Sequence, residues 1–415
     1  MNLSRQIEGY LPRPLQELVK EISGQAAKLG QRVYLVGGVV RDLLLGYPNS
    51  DLDMVVEGDA VKLAQQVAAA SHARSLAHHR FGTAKLSYED FTIDLATARK
   101  ETYTRPGALP VVTPGTLTND LIRRDFSINA MAISLDANNY GELVDPYQGR
   151  TDLEHRIIRI LHPASFSDDA TRIFRGVRYE QRFGFAFEAR TADLLRRDVP
   201  MLDCVSGDRI RHELELILKE KQPELAIKRL GELGVLARIE PSLKGDGWIA
   251  EKFDRARRLR KSAQLPSLYF CLLVYSLTES AGERFISRLN MPAKLSRAMR
   301  DTLRLRPSLS LLDDPSLKPS QIYCLLREYE PVAIQANAIA SESARIQRYL
   351  QLFLTKLRYV KTYLAGEELK QLGIPTGREM GKILELLQKA KLDGEVRTRA
   401  EEMKLARSLS SKLER

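Results

Sequence analysis

The stretch from Val33 to Val56, VYLVGGVVRDLLLGYPNSDLDMVV, restricts the fold more than any other part of the chain. An apolar run, Val33 to Val36, meets Gly37 and Gly38, and a helix-like segment carrying Arg41 and Asp42 follows. Gly46-Tyr47-Pro48-Asn49 then turns the chain into an extended run holding Asp51 and Asp53. Strand side chains alternate faces, so carboxylates two positions apart project from one face. The turn brings that face back beside the glycines. Two aligned carboxylates suit Mg²⁺, which takes hard oxygen ligands and keeps substrate phosphates in its shell. Glycines let backbone N–H groups approach those phosphates closely. Each feature alone is ordinary turn chemistry. About a dozen residues apart, with Arg41 and Asp42 between them, they form a layout for metal-assisted nucleotidyl transfer.

A chain of 415 residues exceeds one ordinary core, and roughly two to four domains are expected. Hydrophobic content of 44% and charged content of 28% fit a globular protein. The net charge of +11 favours a polyanionic partner, most simply nucleic acid. Cys204, Cys271 and Cys324 are too scattered for a disulfide framework or a zinc cluster. Met1 to Tyr10 is polar, without the apolar core of a secretory signal. The longest apolar window, Leu268 to Leu277, is too short to span a bilayer and reads as a buried helix. The expectation is a reducing, cytoplasmic setting with no membrane partner.

GGVVRD followed by DLD resembles the head-domain signature of the class II tRNA nucleotidyltransferase and bacterial poly(A) polymerase family, a branch of the polymerase-beta-like nucleotidyltransferases. The family's later motifs follow in order. DLIRRDFSINAMAISL, from Asp120, resembles its second motif. There Arg124 is expected to grip a triphosphate, because a guanidinium fork matches phosphate oxygens. Asp125 would orient an arginine and Asn129 would fix the strand or the sugar; a structural salt bridge at a strand start accounts for Arg123 or Asp125 singly, less well for the whole string. SFSDDATRIFRGVRYEQRFGF resembles the nucleotide-selecting helix. Ser167 is expected to cap a helix that starts with Asp168 and Asp169, with Asp169, Arg172, Arg175 and Arg178 in a stripe along one side. Cytosine and adenine each offer an exocyclic amine beside a bare ring nitrogen. A carboxylate accepts from the first while a guanidinium donates to the second. Uracil and guanine reverse that order and are rejected through unpaired buried groups. Asp169 and Arg172 could therefore stand in for a template base, leaving Arg175 and Arg178 for phosphates or positioning. The family usually has glutamate where this chain has Asp168. GDRIRHELELILKE resembles the last short motif, with Arg209 and Glu213 expected as an i,i+4 pair propping the previous helix.

The remaining segments are read from local composition. Residues 1–30 are expected as a leading helix, Ala60 to Ala70 as a helix, and His78 and His79 as polar residues at a strand start. Asp94, on the next strand, is either a third carboxylate of the site or a half-exposed polar residue. Ala98 to Asn119 is expected to be mostly loop, its Arg99, Lys100 and Arg105 available to RNA or triphosphate or simply solvated. Beyond about residue 225 the pattern is helical. Glu251 to Ser310 holds 13 Lys and Arg against 5 acids, a composition able to track an RNA backbone. Residues 307–320 read as a linker. Gly373, Pro375 and Gly377 punctuate a tail stretch, GEELKQLGIPTGREMGKILELL, similar to the family's tRNA-gripping tail, or a plain helix-turn-helix.

The resemblance implies an α/β head with a mixed sheet over 1–145, a helical neck over 146–225, a basic helical body over 226–320 and a helical tail over 321–415. It implies addition of CMP, AMP or both to the tRNA 3′ end from CTP and ATP, without a template. Asp51 and Asp53 would hold Mg²⁺, and Gly38, Arg41 and Arg124 would cradle the triphosphate. The siblings in the family are CC-adding and A-adding specialists and poly(A) polymerase; a silent tRNA-binding protein would lack reason for the carboxylate pair. The downstream His-Asp metal motif of a fused phosphohydrolase is not seen.

Overall fold

A computed structural model describes residues 1–49, 51–102, 110–259 and 265–413. They divide into two compact units, Met1–Glu213 and Leu214–Arg415.

The first unit begins with two helices, α1 (Ser4–Tyr10) and α2 (Arg13–Lys28), rather than the single one expected. Pro12 and Pro14 explain the break: proline cannot donate to a helical ladder but is favoured at a new helix's first positions. The near-continuous apolar run forms β1 (Arg32–Val36), and α3 (Gly38–Leu45) follows directly. Gly46, left-handed at φ 72°, ends α3 and sends the chain into β2 (Leu52–Glu57). Asp59 caps α4 (Ala60–Ala70) by accepting from the amides of Val61 and Lys62. Then come β3 (Arg74–His78), β4 (Thr83–Tyr88) and β5 (Phe91–Thr97), so His78 closes a strand instead of opening one.

The expected loop from Ala98 to Asn119 is largely ordered at its arms. β6 (Arg99–Thr102) and β7 (Val111–Pro114) pair antiparallel, and Thr116 caps α5 (Leu117–Ile122) in a box with Asn119. The arms, Arg-Lys-Glu-Thr and Val-Val-Thr-Pro, pair in register from Arg99 with Pro114 to Thr102 with Val111, so cross-strand pairing prevails over the local proline and glycine signal. Arg105 lies outside the described residues. β8 (Ala132–Ser134) and β9 (Leu143–Val144) pair antiparallel as a closing hairpin. The result is a mixed sheet in the order β3-β4-β5-β2-β1-β8-β9, parallel only between β2 and β5. Its buried face, including Met54, Val56, Leu86, Ile93 and Leu95, is covered by α4. The opposite face carries Asp53 and Asp94 in direct register.

Helices of the same unit follow: α6 (Gly149–His155), α7 (Ser165–Asp168) and α8 (Thr171–Phe183). The helix expected to start at Asp168 is thus two, broken at Asp169, whose φ of −144° is extended. Asp169 Oδ1 accepts from the Thr171 amide and hydroxyl, so the acid restarts the chain as a cap instead of riding on the helix. Gly176 lets α8 lie close to its neighbours, since a Cβ there would come within 2.8 Å of the Phe126 ring.

Within its described residues the second unit is helical, as the sequence suggested. The stretch 307–320, expected as a linker, is mostly exposed but anchored: helix Ala293–Ser308 runs into a tight turn, Leu309–Asp313, whose Leu309 and Leu312 are buried in one cluster with Leu350 and Phe353. The serines and prolines punctuate the helix ends, while the leucines between them supply the burial. Leu364, Leu369, Ile374, Ile383 and Leu387 form a separate cluster around the break at Gly373 to Gly377. Lys252 is buried with its ammonium 2.6 Å from Glu342 and 3.0 Å from Glu251.

Candidate active site

A cavity of about 850 Å³ opens in the first unit where β2, α3, α5 and α8 converge. Asp51 and Asp53 lie on its rim, with Gly37, Gly38, Arg41, Arg124, Asp169, Arg172, Arg175 and Arg178 around it. The structure therefore brings Asp51, Asp53, Gly38, Arg41, Arg124, Asp169, Arg172, Arg175 and Arg178 around one cavity, while Asp94, Arg99 and Lys100 are not in its lining.

Gly37 adopts φ 77°, a conformation open to glycine, and a Cβ there would stand 2.6 Å from Arg124 Nη1. The glycine thus makes room for a guanidinium against bare backbone. Arg124 is anchored by donating from Nη2 to Asp120 Oδ2 at 2.9 Å, while its buried Nε has no hydrogen-bond partner among the described residues. An orphaned buried donor beside the uncapped N-terminus of α3 is suited to phosphate oxygen. Arg123 shares Asp120 and also reaches Glu101 Oε1 at 3.1 Å.

Arg41 lines the cavity, yet its guanidinium is buried and engaged. It donates to Asp42 at 2.8 Å and to Asn129 Oδ1 at 2.7 Å, and sits over the rings of Tyr179 and Phe183. Asn129 in turn donates to Asp125 Oδ1 at 2.9 Å, and Arg175 donates to Asp125 Oδ2 at 2.8 Å. This chain of bonds links α3 to α8. Burial alone would raise Asp125, but the Arg175 guanidinium and the Asn129 amide override it and hold the carboxyl at about 2. The same pair keeps Arg175 firmly protonated.

Arg172 is likewise buried, donating to Ser165 Oγ at 2.7 Å and to the Arg123 carbonyl at 2.7 Å. Asp169 faces the cavity at the break between α7 and α8, where Arg209 Nη2 donates to its Oδ1 at 2.7 Å. Arg209, on helix Gly207–Leu218, was expected to pair with Glu213; its partner is Asp169. Helical spacing alone suggested the wrong acid, because the break that swings Asp169 toward Arg209 leaves no periodic signal. Asp168 points elsewhere, 4.0 Å from His162.

Partial enclosure in the cleft raises the Asp53 carboxyl above the usual range, and the charges of Asp51 and Asp94 add to this while Arg124 opposes it. Crowded carboxylates of this kind gain from a cation. Among the described residues no group of three or more His, Cys, Asp or Glu side chains is arranged to hold a metal. Asp94, the register partner of Asp53, is paired with Lys85 Nζ at 3.3 Å. The donor set is then two hard carboxylates, which fits Mg²⁺ completing its shell with phosphate and water oxygens.

The second unit holds a larger cavity of about 1330 Å³. Arg255, Lys294, Arg348 and Arg358 line it against Glu215 and Glu330. Arg255 is tied to Gln347 and the Ile339 carbonyl.

Comparison with known proteins matches residues 33–159 to the poly A polymerase head domain. Residues 184–246 match a probable RNA and SrmB-binding site of polymerase A. An A-adding tRNA nucleotidyltransferase of Geobacter sulfurreducens is 36% identical over 96% of the chain, which spans about half (47%) of that relative's length. An A-adding tRNA nucleotidyltransferase of Halalkalibacterium halodurans is 34% identical over 94% of the chain and 92% of its own length. A CC-adding tRNA nucleotidyltransferase of Deinococcus radiodurans is 32% identical over 89% of the chain and 87% of its own length. Among solved structures, an apo CCA-adding enzyme superposes with a TM-score of 0.84 at 30% identity, covering 97% of this chain and 98% of its own. Signature, fold and near-full-length relatives agree: the chain belongs to the tRNA nucleotidyltransferase family built on the poly(A) polymerase head.

Proposed function

We propose that this chain transfers AMP, CMP or both from the triphosphates to the 3′ end of tRNA. The observation that carries the reading is that Asp51 and Asp53 open onto the same cavity as the unsatisfied Arg124 Nε and the bare backbone of Gly37. Arg124 and the α3 amides from Gly38 onward bind the triphosphate. Asp51 and Asp53 would hold Mg²⁺, which when bound lowers the barrier to attack by the 3′-hydroxyl and neutralises the leaving pyrophosphate. Arg41 acts from behind, fixing Asn129 and the start of α3 rather than reaching the phosphates itself.

Base choice falls to Asp169 with a guanidinium beside it. The carboxylate accepts from the exocyclic amine of C or A, and Arg172 or Arg209 supplies the donor to the ring nitrogen. Arg175 sets the angle of α8 through Asp125, while Arg178 lines the cavity further along that helix. In the second unit, the groove bearing Lys294, Arg348 and Arg358 takes the RNA backbone.

Within this reading, addition of the final A alone is favoured, because the 36% and 34% identical relatives are both A-adding. The test offers tRNA lacking its end, or ending in one or two cytidines, with labelled CTP or ATP separately. Incorporation from ATP alone, onto two terminal cytidines alone, marks the A-adding specialist; incorporation from CTP overturns that finer reading. Replacing Asp51 and Asp53 with Ala should abolish incorporation and leave tRNA affinity nearly intact. Unchanged incorporation would remove the carboxylates from the chemistry.

A further inference from the structure

The two rim carboxylates are mounted differently. Asp53 belongs to β2 and is paired in register with Asp94 on β5, so the sheet holds its backbone. Asp51 precedes Leu52, the first residue of that strand, and lies outside the ladder. What holds it is a side chain: the Asp51 amide donates to Asn49 Oδ1 at 2.8 Å. Asn49 Nδ2 in turn donates to Asp42 Oδ2 at 2.8 Å. Asp42 is buried, and its other oxygen accepts from Arg41 Nε at 2.8 Å. From Arg41 the bonds continue through Asn129 and Asp125 to Arg175 on α8. Asp51 is thus the outer end of a hydrogen-bonded run that starts on another helix.

We infer that Asn49 is a positioning residue for Asp51: it transmits the fixed place of the buried Arg41–Asp42 pair to the carboxylate that shares a cation with Asp53. The inference rests on the nucleotidyl-transfer reading above. An asparagine in an ordinary turn accepts from the amide two residues on and leaves its own NH2 to water. Here both ends of the side chain are bound. A carboxylate only accepts and a backbone N–H only donates, so a single orientation of the Asn49 amide satisfies Asp42 and Asp51 together. The rest of the turn is also tied down. The Tyr47 amide donates to the Asp42 carbonyl at 2.9 Å, the Tyr10 hydroxyl donates to the Tyr47 carbonyl at 2.6 Å, and the Tyr47 ring stacks on Phe183 with centroids 6.1 Å apart. Those contacts stop at Tyr47, and the Asn49 side chain carries the constraint on to Asp51. Groups behind a metal ligand set its direction and so its affinity. A turn that served folding alone would explain the bond to the Asp51 amide, but not the second bond to a buried carboxylate.

The experiment uses the full chain, Mn²⁺ as the metal probe, and an ATP analogue whose α,β-bridge cannot be cleaved. Asn49→Ala should weaken Mn²⁺ binding roughly tenfold, read from the EPR signal of the free ion with the analogue present. Analogue affinity in EDTA should not move, because Arg124 and the α3 amides are untouched. In turnover, kcat at low Mg²⁺ should fall and recover as Mg²⁺ is raised. Asn49→Ser, whose hydroxyl can still accept from the Asp51 amide, should lie between the variant and wild type. Unchanged Mn²⁺ affinity in Asn49→Ala overturns the inference. A loss of analogue affinity in EDTA overturns it too, by assigning Asn49 to the nucleotide. So does a lowered melting midpoint that takes metal and analogue binding down together in both variants, which would make the turn purely structural. Mn²⁺ binding that survives replacement of both Asp51 and Asp53 by Ala would sink the metal reading itself. A site that needs those two acids but is indifferent to Asn49→Ala sinks only the role of Asn49.

Discussion

Arg175 on α8 donates to Asp125 at 2.8 Å, and this bond joins α8 to the segment that carries Arg124. Asp125 is buried and held at about 2, against 3.8 for a free aspartate. A depressed folded-state value means stability that is full above the unfolded pKa and lost as pH falls toward the folded one. Asp125→Asn should therefore cost ~2 kcal/mol near neutral pH. Urea melts of both proteins should show that difference shrinking from about pH 4 downward. A gap that widens on acidification would mean the pairing is misassigned.

Gly37→Ala places a methyl group at φ 77° and 2.6 Å from Arg124 Nη1. Backbone strain of this kind costs on the order of 1–3 kcal/mol. The displaced guanidinium should also raise the nucleotide KM by at least about tenfold. RNA affinity should stay unchanged. Kinetics with ATP and CTP, beside a melting curve, separate the two effects. Normal nucleotide KM in a destabilised variant would remove Arg124 from triphosphate binding.

Lys294, Arg348 and Arg358 line the groove of the helical unit. If they meet phosphates, the triple Ala variant should flatten the plot of log Kd for tRNA against log salt by a slope of about 3, roughly one per contact. Melting should hardly change. An unaltered slope would place the RNA on another face.

Cys271 is wholly buried, and that burial pushes its thiol up to about 12. Cys204 is exposed and Cys324 intermediate. A thiol reagent at pH 8 should label Cys204 quickly, Cys324 more slowly, and Cys271 only on unfolding. Mass spectrometry of the labelled peptides reads the order directly.

The Asp-x-Asp strand, the glycine turn and the Arg-Arg-Asp motif were all legible, because each depends on neighbours a few positions away. The helical character of the second unit was legible for the same reason. What escaped was set by distant packing. The break at Asp169 exists because Thr171 and Arg209 together claim its carboxylate, and Arg209 lies far along the chain. The stretch at 307–320 looks like a linker until Leu350 and Phe353 arrive to cover Leu309 and Leu312. Arg41 reads as a free cation until Tyr179 and Phe183 close over it.

The parallel pairing of β2 with β5 has a bearing on how the enzyme is made. Parallel neighbours need a long crossover, so Asp53 and Asp94 stay apart on a growing polypeptide until β5 has left the ribosome and docked. Arg172 and Asp169, which emerge later still, complete the pocket only then. A truncated translation product ending before α8 would carry Asp51, Asp53 and Asp94 and still lack Arg172 and Arg209, the guanidiniums proposed to read the base with Asp169.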